Sequence, residues 1–165
     1  MGMGLFPEED ENTLYFSRVD SDEVFGTYSA HPFMLEDKEW PTVEHYFQAM
    51  KFDDKAYQET IRLADSAKKA RKLGRRRFKK LRKDWKKVKQ TFMTRAVYTK
   101  CRTYSDIGNK LLETEELRLV ENAQYDYYWG CGRDRRGENK YGEVLMNVRK
   151  KLLEEQKTTS TAPQS

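Results

Sequence analysis

A chain of 165 residues, 37% hydrophobic and 36% charged, has room for one domain with a thin core under a heavily charged shell. Its 21 aromatic residues (3 Trp, 10 Tyr and 8 Phe) speak against intrinsic disorder, and it holds no apolar run long enough for a signal peptide or a membrane span. The net charge of +5 points to anionic partners, while two separated cysteines and two histidines indicate neither a metal site nor a disulfide framework, so a reducing, cytoplasmic setting without a cofactor is expected.

Residues 1–12 are acidic and glycine-containing and read as a flexible N-terminus. A short strand is predicted at 14–17. Residues 33–35 and 39–40 form a small hairpin around Glu36, Asp37 and Lys38. Pro41 and Thr42 then open a helix that runs to Lys51, with Thr42 as N-cap. A second helix follows Asp54, with Tyr57, Ile61 and Ala64 on one face, and a third spans 68–73 and stops at Gly74 as a C-terminal cap. Asp84 caps a longer helix whose Trp85, Val88, Phe92, Ala96 and Val97 recur at helical spacing. Residues 105–112 give a short helix, and 117–120 either a strand or a helical turn. The stretch 125–142 is an aromatic, glycine-bearing loop, and Asn139 caps a last helix with Tyr141, Val144, Leu145, Val148 and Leu152 inside. Residues 156–165 read as a disordered tail. The expected fold is mostly α (α+β): one domain over 13–155 with a minor β element near its N-terminus.

Three clusters carry chemistry. In the first, Glu44, Gln48 and Lys51 stand at i, i+4 and i+7 of one helix and share a face, either as a site or as a surface network of side chains. In the second, Asp126 and Trp129 set a carboxylate beside a stacking platform, and Gly130, Gly132 and Gly137 lead to Asn139 at a helix start, where backbone N–H groups can hold phosphate. In the third, residues 68–89 hold fourteen Lys or Arg against one acid, Asp84. That block is either a solvated surface or a docking face for phosphates or nucleic acid, and Trp85 within it either anchors its helix in the core or stacks on a base.

Taken in order, these motifs resemble the YbiA/NADAR family from about residue 14 to 152. The resemblance rests on Trp40-Pro41-Thr42, Glu44-His45-Tyr46-Phe47-Gln48-Ala49 and Lys51-Phe52, then Gly74-Arg75, Leu81-Arg82-Lys83, Trp85 and Val88-Lys89. Asp126, Trp129-Gly130, Gly132, Gly137, Asn139, Gly142, Leu145-Met146 and Val148-Arg149 complete it. It implies a YbiA-like multihelical fold and N-glycosidase activity, on ribosylamino-pyrimidine phosphates of riboflavin biosynthesis or on ADP-ribosylated guanine in nucleic acid. It further implies Glu44 as the catalytic carboxylate and a pocket lined by Trp85, Asp126 and Trp129. Lys38, in a Lys-x-Trp-Pro position, becomes a candidate second catalytic group. Ala30 departs from the family's usual Asn in a Ser-Asn-Phe-like stretch, here Ser29-Ala30-His31, and Glu36-Asp37 replaces its common Asp-Gly turn.

Cleaving a C1′–N bond builds positive charge on the ribose, which a carboxylate can stabilise while activating water. Glu44 takes that role and Asp126 supplies the leaving base with a proton. Trp85 and Trp129 sandwich the base, and Arg75 with the loop of Gly130 and Asn139 takes the phosphate. Gln48, Lys51 and His45 are the remaining substrate-binding candidates. A second route has an amine, Lys38 or Lys51, attack C1′ to form a Schiff base. The rivals to an enzyme are a non-catalytic ADP-ribose or NAD binding module and a general nucleic-acid-binding protein.

Overall fold

The computed structural model describes residues 11–161, with side chains described to residue 159; the expected flexible stretch falls almost wholly on residues 1–10, outside the described residues. Thr13–Phe16 forms β1, which pairs in parallel with β4, Arg118–Glu121, placing Leu14 opposite Leu119 and Phe16 opposite Glu121. Parallel partners need a long crossover, and here most of the domain lies between them. The alternative left open for 117–120 is thereby settled as strand: Leu119 and Val120 are both buried. A second two-stranded unit pairs β2, Phe33–Leu35, with β3, Lys38–Trp40. Its turn residues Glu36 and Asp37 adopt φ of 56° and 64°. Both lie in the left-handed region that a two-residue hairpin turn of matching twist requires, so Lys38 starts the second strand instead of sitting in the turn.

Helix α1, Val43–Ala49, is the centre of the molecule. All seven of its residues are buried, and it packs against α2 (Lys55–Arg62), α3 (Ala67–Gly74) and α4 (Trp85–Thr103). It ends two residues short of the expected Lys51. The first three helices begin as their sequences dictate: Thr42 Oγ1 accepts from the His45 N–H at 3.2 Å, Asp54 Oδ1 from the Tyr57 N–H at 3.1 Å, and Ser66 Oγ from the Lys69 N–H at 3.1 Å. Helix α4 begins without such a bond. The Asp84 carboxylate is held by Arg82, at 2.6 and 3.1 Å, so the residue expected as a cap belongs to a surface ion pair. Helices α5 (Ser105–Glu113) and α6 (Lys140–Thr161) close the bundle against α4.

Two further expectations change. Helix α6 continues through residues 156–161, which read as tail. Gln156 and Lys157 are good helix formers, and the Thr158 and Thr159 hydroxyls bond back to the Glu154 and Glu155 carbonyls at 3.0 Å each. Asn139 precedes α6 with φ of 51°, but its side chain does not cap the helix. Its amide oxygen accepts from the Glu121 N–H and its amide nitrogen donates to the Leu119 carbonyl, both at 2.9 Å. Asn139 thus completes the free edge of β4 where another strand would lie. Among the described residues no helix is long and apolar enough to cross a membrane.

Candidate active site

A helix with no exposed face is expected to be apolar throughout, yet α1 buries Glu44, His45 and Gln48. Each therefore needs an interior partner. Glu44 is 0% exposed, and its Oε2 accepts from the Thr27 hydroxyl at 2.6 Å while its Oε1 accepts from the Gln48 amide at 2.7 Å. The Arg18 guanidinium stands 3.6 Å from Oε2, and its other nitrogen donates to Asp126 Oδ2 at 3.1 Å. Arg18 therefore bridges the two carboxylates that the sequence nominated, Glu44 and Asp126, the second of them 108 positions from Arg18 along the chain.

Asp126 is surrounded by donors. Its Oδ1 accepts from the Tyr128 and Trp129 N–H groups at 3.0 and 2.8 Å. All three of these bonds are accepted from N–H groups, so the Asp126 carboxylate is committed to holding Arg18 and the turn into Trp129. The two indoles are also arranged otherwise than as facing platforms. Trp85 and Trp129, each 8% exposed, both pack on the Phe47 ring, with centroids at 5.1 and 5.3 Å. Trp85 also stacks on Phe92 and Trp129 meets Tyr128 edge-on, so most of their surface is spent on the core.

His45 does not reach the carboxylates. Its ring lies between the Thr42 hydroxyl (Nδ1, 2.8 Å) and the Ala64 carbonyl (Nε2, 3.0 Å), and burial pushes it below the usual imidazole range. The neutral ring that donates from Nε2 and accepts at Nδ1 fits both partners. Lys38 is exposed on β3, where it pairs with Glu59 of α2 at 3.4 Å and touches neither carboxylate. Lys51 is closer to the centre. Its ammonium lies beside the Gly74 carbonyl and over the Phe47 ring. Burial pushes it down to about 8 against the pull of Glu44, with Arg75, Arg71 and Arg18 adding to the fall.

Most N–H groups of the glycine loop are turned inward. The N–H groups of Cys131, Gly132, Gly137, Asn139 and Tyr141 are all spent on carbonyls of β4, of the segment just after it or of the loop itself. Gly130 is required for another reason: a Cβ there would lie 2.5 Å from the buried Glu121 carboxylate. The concave basic surface lies instead beside α3, where Tyr28, Lys68, Arg71, Lys72 and Arg75 line a cleft of about 530 Å³. Tyr28 follows Thr27, whose hydroxyl binds Glu44, and the charges of Glu44 and Asp126 act on Arg71, so this cleft lies near the carboxylates. Arg75, nominated from sequence, is on its wall.

Arg18, Thr27, Tyr28, Arg71 and Glu121 went unnoticed in the sequence. Arg18 is a lone arginine after a short strand, and its N–H also binds Glu121 Oε1 at 3.0 Å. Thr27 and Tyr28 sit in a segment tethered by buried Lys100, which donates to the Gly26 carbonyl and to Ser29 Oγ at 3.0 and 2.5 Å. Of these, only Arg71 lay within a stretch singled out by its charge.

Gly74 deserves its place through contact, since a Cβ there would fall 2.0 Å from Gln48 Oε1 and 2.8 Å from its Cβ. Gly74→Ala is expected to cost about 1–3 kcal/mol by overpacking and, by displacing the Gln48 amide from Glu44, to lower turnover as well. Thermal melting and base release measured on the same preparation check it; an unchanged variant would mean that Gln48 is free to move.

The geometry has a counterpart among known proteins. The NADAR domain family matches residues 5–153. The chain belongs to the NADAR family. Among relatives of this NADAR protein, "N-glycosidase YbiA" of Escherichia coli is 39% identical over 87% of this chain and 90% of its own length. "N-glycosidase Npun_R5314" of Nostoc punctiforme is 40% identical over 85% and 92%. "Riboflavin biosynthesis protein PYRR, chloroplastic" of Zea mays is 35% identical over 89% of this chain, which matches only 26% of that longer protein. The solution structure of E. coli YbiA shares the fold, with a TM-score of 0.80 at 39% identity and 88% of each chain covered.

Proposed function

We propose that this NADAR protein is an N-glycosidase that hydrolyses the C1′–N bond between a base and a phosphorylated ribose. One observation carries the reading: a fully buried carboxylate, Glu44, held by Thr27, Gln48 and Arg18 beside a basic cleft. The cleft suits the phosphate, with Arg71 and Arg75 as bidentate donors and Lys68 and Lys72 as added charge. The carboxylate suits the oxocarbenium-like transition state, where a fixed negative group is worth most in a water-poor site. As the C1′–N bond breaks, its electron pair leaves with the base. Water adds to C1′, Glu44 takes the water's proton, and the departing nitrogen gains one from solvent.

Substrate entry has to uncover Glu44. Gln48 is the side chain with least to lose by turning, because its Oε1 is buried without a partner. Asp126 acts through Arg18, keeping the guanidinium aimed at the catalytic carboxylate. A ribosylated pyrimidine phosphate fits the riboflavin-biosynthesis names of two relatives, and a reducing cytoplasm suits the two free, buried thiols.

The test is base release followed by mass spectrometry, with ribosylamino-pyrimidine phosphates, an ADP-ribosylated guanine oligonucleotide and free NAD offered side by side. Release of free base from at least one is expected. Binding of all three without release would make the protein a recognition module. A pH dependence also follows from Lys51. Below about 8 its ammonium adds to the positive field at the cleft, and above that pH the charge is lost. The KM for a phosphorylated substrate is therefore expected to rise severalfold as pH passes upward through about 8, and Lys51→Met to remove that inflection. A KM profile with the same inflection in the variant would assign it elsewhere.

A further inference from the structure

Lys100 of α4 is a buried titratable group to which the proposed reaction gives no role. It is 3% exposed and has no ion pair among the described residues, and burial pushes its ammonium down to about 8. Burying an ammonium without an anion costs free energy, and a methionine of nearly the same length would fill the space without that cost. A methionine would not supply the two bonds that Lys100 makes, to the Gly26 carbonyl at 3.0 Å and to Ser29 Oγ at 2.5 Å. These close on the two ends of a short strap, residues 26–29, which belongs to no helix or strand. Inside the strap, Thr27 is 0% exposed and reaches the site three ways. Its hydroxyl donates to Glu44 Oε2 at 2.6 Å, its carbonyl accepts from the Glu44 N–H at 3.0 Å, and its N–H donates to the Arg18 carbonyl at 2.8 Å. On the side before the strap, Tyr141 of α6 donates to the Phe25 carbonyl at 2.5 Å; from Gly26 to Ser29 the side-chain support comes from Lys100.

We propose that Lys100 is a positioning residue for the reaction: by fixing the strap at both ends, it holds the Thr27 hydroxyl on Glu44. The proposal rests on the glycosidase reading. Its weight falls on the moment of substrate entry. When Gln48 turns to uncover Glu44, the carboxylate loses its donor at Oε1, and the Thr27 hydroxyl is the neutral donor that still sets its orientation toward C1′. A hydroxyl on a slack strap would follow the carboxylate into other rotamers. One clamped from α4 cannot, and a fixed negative group acts on developing charge only if it is held before the bond breaks. The cations assigned to the phosphate are Lys68, Arg71, Lys72 and Arg75, and Lys100 bonds to none of them. Tyr28, also in the strap, lines the cleft, so binding feels the clamp too, but turnover feels it more.

The experiment compares Lys100→Met, Ser29→Ala, Thr27→Val and the pair Lys100→Met with Thr27→Val in the full chain, by base release from a ribosyl phosphate that the parent cleaves. Thr27→Val is expected to lower kcat about tenfold, as loss of one hydrogen bond to a charged group does. Lys100→Met should lower it by about as much, and Ser29→Ala, which keeps the lysine and one of its bonds, by about threefold, with KM within about threefold throughout. If Lys100 acts through Thr27, the pair loses about tenfold as well, where independent effects would give about a hundredfold. Hydrogen exchange followed by NMR supplies a readout that needs no turnover. The Thr27 and Glu44 amides should speed up in Lys100→Met by a larger factor than the core amides of α4 and α6. The proposal is overturned by kcat within about twofold of the parent in both Lys100→Met and Ser29→Ala, or by losses that multiply in the pair. A loss in Lys100→Met that only matches its unfolded fraction, with Ser29→Ala unaffected, would overturn it too. Loosened Thr27 and Glu44 amides in a protein that releases base from no substrate would retain the clamp and remove the chemistry it serves.

Discussion

Glu44→Gln is expected to lower kcat for base release by about 10³-fold while leaving the protein folded. Loss of a positioned general base alone typically accounts for 10²–10⁴, and here the same group also supplies the negative charge opposite the developing oxocarbenium ion. The amide has nearly the shape of the carboxylate, so the void left in the core of α1 is negligible. It cannot, however, accept from Thr27 and Gln48 at both of its atoms as Glu44 does. One of the two donors must turn away, at a cost of about 1 kcal/mol, which separates the catalytic loss from unfolding. Turnover by mass spectrometry, with circular dichroism and thermal melting on the same sample, measures both. A variant that releases base within tenfold of the parent rate would remove Glu44 from the chemistry and with it the assignment of the site.

Glu44 was legible in the sequence because its surroundings are local. The Trp40–Thr42 entry, the Thr42 cap and the i, i+4 relation to Gln48 lie within nine residues and follow from helix geometry. Asp126 was nominated too, but not its link to Glu44, and Arg18 was not nominated at all. Arg18 and Asp126 join it through contacts that span the chain, and no periodicity marks an arginine that is to become the bridge between two buried anions. Glycine and asparagine were recognised as special without the right reason. Gly74 suggested a left-handed cap, but what excludes a side chain is Gln48. Asn139 suggested helix capping and a phosphate loop, but its amide substitutes for a missing strand. The indoles show the same limit. Spacing cannot tell an aromatic ring that faces a ligand from one that faces Phe47, and for Trp85 the anchoring role set against base stacking from the start is the one its packing favours.

The mixture of outcomes has a physical origin. Secondary structure and its caps are set by nearest neighbours along the chain, and so the helices and the hairpin emerged close to where they stand. The site is set by what the fold brings together, and its electrostatics depend on groups that sequence scatters: one cation on the coil after β1, a hydroxyl before β2, a carboxylate after β4. The basic block 68–89 sits between these cases. Its charge was visible at once, but only the fold divides it into a wall of the cleft (Lys68, Arg71, Lys72, Arg75), pairs that close on nearby acids (Lys69, Lys79, Arg82), and a track left open to solvent.

Removal of the bridging cation should be the most damaging change to stability. Arg18 is itself buried and stands between Glu44, with no exposure, and Asp126. Arg18→Met keeps the backbone bonds that the residue makes, its N–H to Glu121 and its carbonyl to Thr27, and fills most of the volume. The effect therefore isolates the guanidinium. Breaking a buried pair by deleting one partner costs about 3–5 kcal/mol, because the other charge is left without compensation. The fields of Lys51 and Arg71 at Glu44 offset part of this and place the expectation near the lower bound. For a domain of this size that is a fall in Tm of about 10 °C. The decisive comparison is with Arg18→Met combined with Glu44→Gln. If the penalty comes from an uncompensated anion, neutralising that anion should return a substantial part of the loss, so the two changes are strongly non-additive. Strict additivity, or a single variant that melts within about 2 °C of the parent, would show that the cation contributes shape and not charge, and Glu44 would then need another explanation for how it stays buried.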